Sequence, residues 1–152
     1  VDPRNGRDSA SGSSRASALR TLSAAWAQVP ESTAKTGTGV RVMITAGTFT
    51  ADMQPRYWSG RLGARGAPLI LQAADGDTSV TLADMNVYNV THLYLIGLRV
   101  AGYEANVFHC ERCYHVLFRR CSFWAASGEG SSTAEVVKLN QCAGVYMEGC
   151  AV

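Results

Sequence analysis

Three nine-residue stretches of this chain fall into one register: His92-Leu-Tyr-Leu-Ile-Gly-Leu-Arg-Val100, His115-Val-Leu-Phe-Arg-Arg-Cys-Ser-Phe123 and Gly144-Val-Tyr-Met-Glu-Gly-Cys-Ala-Val152, offset by 23 and 29 residues. Apolar residues fill the same slots each time, Leu93/Val116/Val145, Leu95/Phe118/Met147, Leu98/Cys121/Cys150 and Val100/Phe123/Val152. The register extends backwards through Val90/Cys113/Cys142 and Val87/Cys110/Leu139. A strand-like repeat of this period cannot bury its apolar face alone, so its units must stack. Leucine-rich repeats have a similar period, but their LxxLxLxxN signature is absent. The alternation is in–out–in, a corner, then in–out–in. It fits a parallel β-helix, where equivalent slots of successive coils lie about 4.8 Å apart. Ile96-Gly97, Arg119-Arg120 and Glu148-Gly149 then occupy one solvent-facing corner, with Arg119 beside Glu148 of the next coil as a surface ion pair.

The rest of the chain agrees with a single all-β solenoid domain over 1–152. Leu19, Leu22, Trp26 and Val29 lie at helical spacing, with Ser17 to cap the start and Pro30 to stop the run. This predicts one helix over about 18–28, within an amino-terminal segment 1–39, suited to cover the open apolar end of the stack. Residues 40–152 supply about four to five coils. Strand-like runs fall at 40–45, 68–71 and 79–82, and 51–66 reads as a loop rich in Arg, Gly and aromatics. The last repeat stops at Val152 in mid-coil, so the natural chain is expected to continue or its end to be covered. Alternatively, the open carboxyl-terminal coil serves self-association.

Composition narrows the classes. Of 152 residues, 47% are hydrophobic and 17% charged, which describes a folded chain. No apolar run is long enough to span a bilayer. The opening residues are polar and carry no signal-peptide core, so either the protein is cytosolic or a signal has been removed. Twelve Arg and two Lys are spread along the sequence without the clustered, aromatic-interleaved pattern of a nucleic-acid binder.

Several segments resemble the right-handed parallel β-helix proteins of the pectate-lyase-like superfamily. Asn5-Gly-Arg-Asp-Ser-Ala-Ser-Gly12, Leu19-Arg-Thr-Leu22 and Val42-Met-Ile-Thr-Ala-Gly-Thr-Phe49 are similar to the amino-terminal run of that family. Gly66-Ala-Pro-Leu-Ile-Leu-Gln-Ala-Ala-Asp-Gly76 and Leu93-Tyr-Leu-Ile-Gly-Leu-Arg-Val100 resemble its later coils. The resemblance covers nearly the whole chain. It implies a right-handed β-helix with an amino-terminal capping helix, and a location outside the cell or on its surface. It also implies a carbohydrate-binding or carbohydrate-active role, with calcium as a cofactor of the family's lyases. The alternative is a non-catalytic structural protein whose coils assemble into a larger filament or surface structure; an adhesin or acceptor is a third reading.

No catalytic constellation emerges from the residues. A calcium-dependent lyase needs six to eight oxygens around the ion and a basic residue to take a proton. The acids Asp75, Asp77, Asp84, Glu111, Glu135 and Glu148 are scattered, and any catalytic site is expected in coils beyond 152. Outward rows offer binding surfaces instead. Tyr94, Leu117 and Tyr146 stack on one face with Arg99 beside them, a combination that suits sugar rings and uronate carboxylates. The loop segment Arg56-Tyr57-Trp58-Ser-Gly-Arg61 is the other candidate, with sugar contact and packing over the stack both open. His92 and His115 stack without a third ligand. Asn89-Val-Thr91 is a glycosylation sequon at an outward position. The five cysteines read as small core residues and free thiols, with a disulfide still open for Cys113/Cys142 and Cys121/Cys150; Cys110 is expected to have no cysteine neighbour.

Overall fold

A computed structural model describes residues 1–102, 106–125 and 135–152. After an irregular start with a 3₁₀ turn at Arg15–Ser17, α1 runs from Leu22 to Gln28. It is shorter than the predicted helix and starts later. Ser17 lies in the 3₁₀ turn, and the N-cap is Thr21, whose hydroxyl accepts from the Ala24 N–H at 3.1 Å. Leu19, Leu22, Trp26 and Val29 are all buried, but Leu19 reaches the interior from outside the helix. A second short helix, α2 (Thr33–Thr36), follows within the amino-terminal segment and ends on Gly37 in the left-handed region.

The remainder winds into a right-handed parallel β-helix. The first coil holds β1 (Val40–Ile44), β2 (Gly47–Phe49) and β3 (Trp58–Ser59). The second holds β4 (Leu69–Ala73), β5 (Val80–Leu82) and β6 (Met85–Tyr88). The third holds β7 (Leu93–Ile96), β8 (Leu98–Gly102) and β9 (Asn106–Glu111). The fourth holds β10 (Tyr114–Arg119), β11 (Ser122–Ala125) and β12 (Glu135–Asn140), and β13 (Ala143–Glu148) opens a fifth. Corresponding strands pair in parallel to make three sheets, β1-β4-β7-β10-β13, β2-β5-β8-β11 and β3-β6-β9-β12. The register is the one the repeat predicts: Tyr94 pairs with Leu117 and Leu117 with Tyr146, while Val87 pairs with Cys110 and Cys110 with Leu139.

Each coil therefore has three strands, one more than the nine-residue unit displays. The backbone supplies the corners. Asn89, Arg112 and Gln141 share one corner with φ near +52°; three residues on, His92 just before β7 and His115 and Gly144 as the second residues of β10 and β13 are again left-handed; Gly97, Arg120 and Gly149 share the next corner. All are left-handed, and the first and last of these sets turn the chain sharply between two strands. Arg120 is thus the corner residue, whereas Arg119 still belongs to β10 and donates to Glu148 at 2.9 Å. Arg120 pairs instead with Asp77, two coils below, at 2.8 Å.

Inward side chains from the three sheets meet on the axis. Phe108 of β9, Phe118 of β10 and Phe123 of β11 form a triangle of edge-to-face rings with centroids 5.1–5.6 Å apart. That geometry suits the ring quadrupoles. Toward the amino terminus, α1 lays Leu22 and Trp26 against this core, and the Trp26 ring meets Trp58 edge-on at 5.2 Å. The Trp26 indole N–H donates to the Ser59 carbonyl, so the helix is tied to the third sheet of the first coil.

Candidate functional site

The outer face of the five-stranded sheet carries an open groove of about 850 Å³. Its floor is the row Tyr94, Leu117 and Tyr146, in register on β7, β10 and β13. At one pair per rung, the two tyrosines stand about 9.5 Å apart along the coil axis. Tyr146 is well exposed, and Tyr94 is half-buried. One wall is the His92–His115 stack, with ring centroids 4.6 Å apart and planes inclined by 32°. Gly144 continues this column, and a methyl group there would lie 3.0 Å from His115 Nδ1. The opposite edge is the Arg119–Glu148 pair, and Arg65 completes the lining from the loop before β4.

The electrostatics of this face are mildly cationic. Burial, reinforced by the neighbouring His115, pushes His92 below the ordinary histidine value, so it is neutral at pH 7. Its Nδ1 is buried and makes no hydrogen bond among the described residues. Arg119 and Glu148 neutralise one another, while Arg65 is exposed and forms no ion pair among the described residues. The face thus offers aromatic rings, phenol hydroxyls, imidazoles and one uncommitted guanidinium. These groups suit an elongated polyol with carboxylate substituents.

The other candidate residues fall elsewhere. Arg99 lies on β8, pairs in register with Ser122 and faces out from the neighbouring sheet, across the Gly97–Arg120 corner from Tyr94. Its register partner Ser122 is buried. Trp58 requires a correction. It is 1% exposed, an inward residue of β3 stacked in register with Val87 and packed on Trp26, so its ring cannot meet a ligand. Tyr57 is exposed under the Arg56 guanidinium at 5.8 Å, and Arg61 donates to the Gly60 carbonyl; neither lines the groove. Arg65 was hidden from sequence reasoning inside a long irregular loop, and only its arginine richness marked that segment. Asn89 of the sequon is exposed at its corner.

The residues present do not fit a calcium ion. Asp75 is held by Arg15, Asp77 by Arg120, Glu148 by Arg119 and Glu135 by Lys138, and no three carboxylates converge among the described residues. The cluster of three metal-ligating side chains that does occur is Cys110, Cys113 and Cys142, whose sulfurs all lie within 4.8 Å of one another. Cys110 therefore has cysteine neighbours, contrary to the sequence-based expectation, because Cys142 leans back across the rung to a sulfur–sulfur distance of 3.8 Å. The Cys110–Cys113 hydrogen bond raises Cys110, with burial adding to it, and lowers Cys113. Burial pushes Cys121 up to about 11. All five cysteines are free thiols.

Comparisons with protein-family models, with curated proteins and with solved structures find no match to this chain. No described helix is long and apolar enough to cross a membrane.

Proposed function

We propose that this chain is a carbohydrate-binding β-helix of the pectate-lyase-like kind, secreted or held at the cell surface, and that its groove takes an acidic polysaccharide. The observation that carries the reading is the Tyr94–Leu117–Tyr146 row running along the coil axis beside Arg65 and the histidine stack. Two rings on one line, two rungs apart, can each receive a sugar face of an extended chain, and Arg65 can pair with a uronate. The reading is one of binding, with the His92–His115 stack as a wall of the groove beside this row.

Calorimetry with polygalacturonate and with a neutral glucan tests it. Binding of the acidic polymer alone is expected, weakened at least about tenfold by Tyr146→Ala and again by Arg65→Ala, since interface tyrosines and arginines dominate such energies. Equal affinity for the two polymers, or no change in the double variant, would sink the proposal.

A second reading, self-association, has its own support. Strands β12 and β13 pair on one side only, and Leu139 and Met147 of these strands are 40% and 45% exposed. An unpaired parallel edge can template a further strand, whether from a second copy or from further residues of the same chain. Sedimentation velocity across a hundredfold range of concentration checks it: assembly predicts growing species, and a constant monomer removes it.

A further inference from the structure

The carbohydrate groove makes no use of the thiol cluster on the inside of the same coils. We propose that Cys110, Cys113 and Cys142 form a binding site for one thiophilic metal ion of the zinc or monovalent-copper class. Three features of the fold build the site. Cys110 is the last inward residue of β9, and Arg112 then turns left-handed with φ of +52°. That turn brings Cys113, three residues on, back to the interior beside Cys110. Cys142 occupies the slot of Cys113 one coil later, as the 3.1 Å hydrogen bond from Ala143 N–H to the Cys113 carbonyl fixes.

The distances fit coordination better than they fit a disulfide. Sulfurs bound to one zinc at about 2.3 Å stand about 3.8 Å apart. Cys110 and Cys142 are already at 3.8 Å, and the third sulfur lies within 4.8 Å of both. A disulfide would need about 2.05 Å. The donor set is all sulfur, which selects soft ions over calcium or magnesium. Cys110 and Cys113 are fully buried, and half-buried Cys142 is the side from which an ion enters. On binding, each coordinating sulfur gives its S–H proton to solvent and an electron pair to the ion; nothing is oxidised or reduced.

The test uses the reduced chain under argon, titrated with Cd²⁺ alone and separately with Cu⁺ alone, and reads the thiolate-to-metal charge-transfer band. One equivalent of at least one ion is expected per chain. A hundredfold excess of that ion over its Kd should raise the melting temperature by about 5–10 °C. Cys142→Ser, at the least buried ligand, should weaken binding by more than the roughly 10–100-fold typical of a lost outer partner. Cys113→Ser should do the same. A Cys121→Ala/Cys150→Ala double variant keeps the cluster and should bind like the unaltered chain. No saturable band with either ion, unchanged binding in Cys142→Ser with native circular dichroism, or loss of binding in the double variant would each overturn the site. None of these outcomes depends on the polysaccharide reading, since no groove residue is altered.

Discussion

His92 and His115 hold left-handed backbone at φ of +49° and +57°, a conformation that costs a residue with a side chain about 1–2 kcal/mol. Glycine occupies the equivalent position at Gly144 without that cost. The two imidazoles offset part of it by stacking, and the stack walls the groove. His92 has a further consequence. Burial, then the neighbouring His115, lowers its pKa in the folded chain below the unfolded value of about 6.5. The folded state therefore binds fewer protons than the unfolded one, and stability rises with pH across that interval. His92's contribution is complete above about pH 6.5 and is lost as pH falls from there toward the folded pKa. His92→Asn tolerates the left-handed backbone and cannot titrate. Melting temperatures at pH 7.5 and pH 5 should differ less in this variant than in the unaltered chain, and an identical slope would refute the assignment. The tyrosine row and the histidine column were legible in the sequence because both follow from register alone. Trp58 was not, because a two-residue strand inside a long loop has no alternation to show which way its ring points.

At the scale of elements, α1 is only two turns long, too short to be stable in isolation. Its start is held by a local network. The Asp8 carboxylate accepts from the backbone N–H groups of Arg20 and Thr21 and from the Thr21 hydroxyl, which in turn accepts from Ala24 N–H. Removing the hydroxyl leaves a helix N–H and a carboxylate oxygen without that partner. Thr21→Ala should cost about 1 kcal/mol, and Thr21→Ser should retain most of it, as read by urea denaturation. Equal losses in the two variants would assign the effect to the methyl group instead of the cap. The apolar stripe signalled a helix here, but the boundary moved by four residues. The stripe counts Leu19, which is buried from the turn before the helix and so contributes nothing to its length. Ser17 and Thr21 are both sound N-caps by residue type, and only the fold distinguishes them.

In the whole molecule the three sheets are a one-dimensional stack, so strand pairing ties each coil to its neighbours alone, and the Arg120–Asp77 surface pair is a contact that reaches two coils away. The period of the repeat made the stack readable in advance. The third strand of each coil was less visible, since β6, β9 and β12 start at different sequence distances from the strand before them, and their inward residues, such as Val87, Cys110 and Leu139, are what keep register. One consequence separates this architecture from a globular core. Trp26 joins α1 to the first coil through the Trp58 ring and the Ser59 carbonyl, and among the described residues it makes no ring contact or hydrogen bond with the fourth coil. Trp26→Ala should cost about 3–5 kcal/mol, the range for deleting a buried aromatic. In a globular core such a loss lowers protection everywhere. Here it should fall on the amides of β1, β2 and β3, whose covering helix is released. Those of β10, held by β7 and β13 and by the phenylalanine triangle, should stay close to their original exchange rates. Hydrogen exchange on the variant distinguishes the two: a graded loss from the amino-terminal coil onward is expected, and a uniform loss across all three sheets would show that the coils unfold as one cooperative unit.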